Sequence, residues 1–139
     1  DDGSTLEEVV VKRLLDRGAT LALVEVGSRG RLAASLAGVK GMERLLVTAQ
    51  SAPTEDRMLT ALGVPAATWS EWGIPSERVK GLASAAATRA GCGWSLAIGE
   101  LLQGGSVVWL AFGSPDDHWE MQLVPMRGTG ETAYAGLTT

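Results

Sequence analysis

Apolar positions recur every three to four residues at the start of the chain, at Leu6, Val9, Val10 and Leu14, and the pattern stops at Gly18. That period belongs to an amphipathic helix, and Ser4 followed by Glu7 has the spacing of a capping box at its start. Residues 20–26 (TLALVEV) form a short apolar run between glycines, which predicts a buried strand. A bend over residues 27–30 then leads into a helix ending near Gly38. Residues 43–49 (ERLLVTA) read as a second strand, and Thr54 reads as the N-cap of a helix that stops at Gly63. Pro65 and Pro75 bracket residues 66–73, which read as a helical turn. Residues 76–90 carry Val79, Leu82, Ala83, Ala86 and Ala87 on one side and predict a long helix ended by the glycines at 91 and 93. Three strands follow, over 94–99, 106–113 and 118–126, the last two joined by a Ser-Pro-Asp-Asp turn.

Alternating helices and strands that end in a hairpin predict a mixed sheet of about five strands with helices on both faces. At 139 residues and 45% hydrophobic content the chain is expected to be one domain over 1–139, with a core that needs no disulfide or metal. Its start, DDGS, has no initiator Met, so the domain is expected to be a piece of a longer chain. The formal net charge is -4 and the basic residues are scattered, which argues against a nucleic-acid partner. Cys92 is the single cysteine, so no intrachain disulfide can form; with no membrane-length apolar run and an acidic N-terminus unlike a signal peptide, a cytoplasmic chain with no membrane partner is expected.

The order of these pieces resembles a known family. The run TLEEVVVKRLLDRGATLALVEVGSRGRLAASLAGV is similar to the opening of the C-terminal domain of CinA, the competence/damage-inducible family. Leu62-Gly63-Val64, GIPSERVKGLASAAATRAGC and SVVWLAFG match later family landmarks, so the resemblance covers about residues 5–125. It implies a three-layer α/β/α sandwich with a mixed, mostly parallel sheet of about five strands. It also implies a nicotinamide mononucleotide deamidase site, homo-oligomers, and a partner N-terminal domain similar to molybdopterin-binding proteins.

Laid on the family motif A-E-S-C-T-G-G, Glu25 matches the Glu, Val26 falls on the nucleophilic Ser, Gly27 on the Cys, Ser28 on the Thr, Arg29 on the first Gly and Gly30 on the second. Met58 stands where the family Lys is expected, QSAPT fills the neighbourhood of the family Tyr, and residues 99–103 (GELLQ) replace its T-G-I-A-G-P loop. The resemblance therefore implies a domain that keeps the framework and lacks the deamidase residues.

Few other residues could rebuild such chemistry. A serine nucleophile needs a base within about 3 Å and donors for an oxyanion. Ser28 is the one weak candidate, and its ordinary reading is the N-cap of the following helix. Lys12, Lys40 and Lys80, Tyr134 and His118 all lie in other segments. His118 with Asp116, Asp117 and Glu120 is too poor in His and Cys for a metal site, so no metal and no cofactor is expected. Cys92 reads as a structural thiol. Ligand binding is the function that could survive: Ser28, Arg29, Gly30 and Arg31 sit at a helix start, where free N–H groups and the macrodipole favour a phosphate or nucleotide. Trp94, Trp109 and Trp119 are expected in core or interface packing, and Trp69 and Trp72, three apart, on one face of a helical turn.

Overall fold

The computed structural model describes residues 6–28, 30–102, 107–114 and 119–125. The apolar period at the start forms α1 (Leu6–Arg17), and the following run forms β1 (Leu21–Glu25). Next come α2 (Arg31–Ala37), α3 (Met42–Leu45), β2 (Leu46–Ser51), α4 (Glu55–Ala61), α5 (Ala66–Trp72) and α6 (Pro75–Ala90). The chain then adds β3 (Trp94–Ile98), β4 (Val107–Gly113) and β5 (Trp119–Pro125). Thr54 caps α4 as its sequence predicts, its hydroxyl accepting from the Arg57 N–H at 3.2 Å. One boundary is corrected: residues 43–45, expected as strand, are helical, because Met42 buries completely against the core and Gly41 supplies the left-handed start of α3. Ser4, the expected cap of α1, lies outside the described residues.

The strands form one sheet in the order β2-β1-β3-β4-β5. β1 pairs in parallel with β2 and β3, and the hairpin β4-β5 extends β3 antiparallel, so the mixed sheet divides evenly between two parallel and two antiparallel pairings. Parallel strands at the centre of a sheet are covered on both faces, and β1 and β3 are buried at every position. Their alternating side chains feed two cores. Leu21, Leu23, Leu96, Ile98, Leu110 and Phe112 face one layer, against α1, α2 and α3. Ala22, Val24, Ala97 and Ala111 face the other, against α4 and α6. Large side chains thus fill one side, while alanines let the 16-residue α6 lie close on the other.

The expected core role of Trp94 holds. It is 8% exposed, meets Phe112 edge-on at 5.1 Å, and carries the Arg17 guanidinium 4.8 Å from its ring centroid. Arg13 of α1, also buried, pairs with Glu120 on β5 and lies over the Phe112 ring at 5.7 Å, tying the first helix to the last strand. On the opposite face α5 is a full helix rather than a single turn, and its Trp69 and Trp72 meet edge-on at 5.8 Å. Trp72 lies flat on α6 at Gly81, where an added Cβ would come within 2.5 Å of the indole. Gly81→Ala is therefore expected to push the ring away and destabilise the domain by about 1–3 kcal/mol, read as a lower midpoint in chemical denaturation.

Candidate functional site

In an open α/β sheet the natural ligand crevice lies beyond the C-terminal ends of the strands, where successive crossovers leave on opposite faces. Here that point lies between β1 and β3: α2 and α3 cover one face on the way to β2, and α4 to α6 cover the other on the way to β3. The residues gathered there come from the end of β1 (25–28), the end of β3 (98–100) and the start of α4 (Glu55).

Glu25 dominates the first group. It ends an otherwise apolar strand, is 1% exposed, and must find donors. Its Oε2 accepts the Leu32 N–H at 2.9 Å, its Oε1 accepts the Ala33 N–H at 2.7 Å, and the Ser28 hydroxyl donates to Oε2 as well. These two N–H groups are the second and third of α2, the donors a capping side chain normally receives. The expectation that Ser28 caps this helix is thereby corrected. Gly30 holds the cap position at φ +85°, a left-handed conformation suited to glycine, and makes no side-chain bond. The cap is supplied instead by a carboxylate seven to eight residues upstream. The signal for it was present in the sequence: a lone acid inside an apolar strand has to be paired.

This arrangement bears directly on the expected chemistry. Ser28 is 2% exposed and its hydroxyl is committed to Glu25, so a substrate carbonyl has no open approach to it. The Leu32 and Ala33 N–H groups that would have met an anion already hold a carboxylate. Gly30 is half-buried, Arg31 is exposed, and Arg29 lies outside the described residues. Val26 is 2% exposed and Met58 fully buried, and both belong to the same apolar cluster with Val24, Val79 and Leu82. Gly27 closes the crevice itself. Its N–H donates to the Gly99 carbonyl at 2.9 Å, and a Cβ there would stand 2.7 Å from that oxygen and 2.8 Å from Val108 Cγ1.

A pair that local sequence reasoning did not find seals the other side. The Glu55 N–H donates to Glu100 Oε2 at 2.6 Å, and the Glu100 N–H donates to Glu55 Oε2 at 2.8 Å. This reciprocal clasp joins the start of α4 to the segment after β3. Burial pushes the Glu55 carboxyl above its ordinary value of 4.5; the Glu100 N–H opposes this, the Glu100 carboxylate adds to it, Arg78 opposes it and Asp56 adds to it. The two partners are 45 residues apart, which leaves no local pattern to find.

Of the other candidates, Cys92 is buried, Lys12 pairs with Asp16 at 3.4 Å and Lys80 with Glu77 at 3.8 Å. Lys40 is exposed. Asp116, Asp117, His118 and Tyr134 lie outside the described residues. Among the described residues there is no group of three or more His, Cys, Asp or Glu placed to hold a metal, and no helix long and apolar enough to cross a membrane.

No family model matches the chain. It is 37% identical over 98 residues to a CinA-like protein of Synechococcus sp. (strain CC9902), covering 70% of this chain and 23% of that one. It is 35% identical over 78 residues to a putative competence-damage inducible protein of Desulforamulus reducens, covering 56% of this chain and 19% of the relative. The chain thus spans about a fifth to a quarter of the length of these curated relatives. Among solved structures, a competence-damaged protein (CinA) superfamily protein from Enterobacter cloacae superposes with a TM-score of 0.74 at 21% identity, over 92% of this chain and 82% of that one. That likeness extends to the five-stranded mixed sheet and its helical layers.

Two outcomes follow from the site. Glu25→Ala leaves the Leu32 and Ala33 N–H groups without their acceptor, and is expected to cost about 2–4 kcal/mol in urea unfolding. For Glu55 the folded carboxyl holds its proton more tightly than the unfolded one. Its contribution to stability is present below 4.5 and is lost as the pH rises through the folded value. Glu55→Gln keeps an acceptor for the Glu100 N–H without the charge, and is expected to flatten the fall in stability with rising pH above 4.5.

Proposed function

Taking as its premise that this chain is a CinA-like domain in sequence and fold, we propose that it is a catalytically inactive member, kept as an oligomerisation or ligand-binding module of a longer protein. The observation that carries this reading is the shared burial of Val26 and Met58 in one apolar cluster. These are the positions where the family motif has its nucleophilic serine and its lysine. A serine and a lysine side by side need hydrogen-bond partners and access for substrate, whereas a valine and a methionine need only each other and the α6 face. The closure of the β1–β3 crevice by Gly27 and Gly99, and the Glu55–Glu100 clasp, support the same reading from the other two sides of the site.

A second reading rests on the hydrogen bond from Ser28 to Glu25: an amidohydrolase whose nucleophile has moved two residues along the bend. The two readings separate in a single assay. Purified protein incubated with nicotinamide mononucleotide is expected to release no ammonia above the buffer blank. Steady release that disappears in Ser28→Ala would overturn the inactive reading in favour of the relocated site. Light scattering on the same sample is expected to give a mass of two or more chains, in keeping with the oligomerisation role; binding of the nucleotide without turnover, followed by calorimetry, would favour the ligand-binding role.

A further inference from the structure

One stripe of α6 carries Lys80, Gly81, Ser84 and Ala85, all half-buried, and the exposed Thr88, spaced three and four apart. These residues floor a groove of about 800 Å³, walled by Trp72 on one side and reached by Trp119 of β5 on the other. That volume falls in the range of small-molecule sites, roughly 300–1,000 Å³. We propose that this groove binds an elongated small molecule with an aromatic head and an anionic tail.

The aromatic end is set by Trp72. Its indole is held from behind by two contacts, the bare backbone of Gly81 and the edge-on Trp69 at 5.8 Å, and Trp69 is itself backed by the Arg78 guanidinium 5.1 Å from its ring centroid. A ring fixed in this way loses little freedom when a ligand stacks on its remaining surface. The anionic end is set by charge. Glu77 and Lys80 neutralise one another at 3.8 Å, which leaves Arg89 as the uncompensated charge of the lining. Its guanidinium donates to the neutral Leu62 carbonyl at 3.4 Å, and no carboxylate pairs with it among the described residues. Gly81 and Arg89 are eight residues apart on α6, a separation of about 12 Å along the axis. The ligand is thus long enough to stack at one end and meet a guanidinium at the other. The hydroxyls of Ser84 and Thr88 line the path between them.

Anilinonaphthalene sulfonate has this shape and charge, and N-phenylnaphthylamine is its uncharged relative. Both can be titrated against the folded protein, with energy transfer from tryptophan as the readout and near-UV circular dichroism confirming native packing, since loosely packed states also take up the sulfonate. Saturable one-to-one sulfonate binding is expected. Arg89→Gln is expected to weaken it about tenfold while changing the uncharged probe by less than about twofold. Ser84→Phe, which fills the floor, is expected to abolish both, and Arg57→Gln, an exposed arginine outside the groove, to alter neither. Absence of saturable binding, or a sulfonate affinity unchanged in Arg89→Gln or lowered equally by Arg57→Gln, would overturn the proposal. Arg89 is exposed, so its variant carries the test even if Ser84→Phe does not fold.

Discussion

The buried carboxylate of Glu25 is the constraint around which one end of this domain is arranged. Its two oxygens take the Leu32 N–H, the Ala33 N–H and the Ser28 hydroxyl, so the first turn of α2 cannot drift from the end of β1 without exposing all four groups to an apolar surrounding. The bend between them must then be short and sharply turned, which is why Gly30 adopts a left-handed conformation and Gly27 lies directly against the Gly99 carbonyl. The closure of the crevice between β1 and β3 follows from this: the chain folds its own acid into the place where the topology would otherwise offer donors to a ligand.

On the reading proposed for this domain, the residues around that crevice make physical sense as a set. Exchanging a buried lysine alone for methionine would leave a serine hydroxyl short of a partner, and exchanging the serine alone would strand a cation in a low-dielectric pocket. With valine and methionine both present, the space joins the core that α6 already forms with Ala22, Val24 and Ala97. The segment after β3 is held to α4 by Glu55 and Glu100. Their exchange of backbone hydrogen bonds satisfies a helix N-terminus and a strand end at once.

The architecture could be read from the sequence wherever the pattern was long and local. The period of α1, the cap at Thr54, the apolar run of β1 and the alanine-rich face of α6 each specify their element without help from the rest of the chain. The start of β2 was misplaced because Leu45 runs straight into the apolar Leu46 and Val47, and only the burial of Met42 against α1 and α2 decides for helix over residues 43–45. The site was legible in a different measure. That Val26 and Met58 stand where the resembled motif has a serine and a lysine could be read directly, but the apolar cluster that buries them together could not. Ser28 has the right identity and position for a cap, and loses the role to Glu25, an acid seven residues before the Leu32 N–H that it receives. The Glu55–Glu100 clasp spans 45 residues and depends on tertiary structure alone.

The division of the sheet into a face of leucines, isoleucine and phenylalanine and a face of alanines has its own consequence for how the sequence can drift. On the first face, shortening a side chain opens a void that the surrounding helices only partly close. On the second, α6 rests on methyl groups at Ala22, Ala97 and Ala111, and lengthening any of them drives helix and sheet apart along the whole contact. One sheet thus presents two opposite tolerances. Neutral change is confined to swaps of equal bulk beneath α1 to α3, and to exchanges among the smallest residues beneath α6.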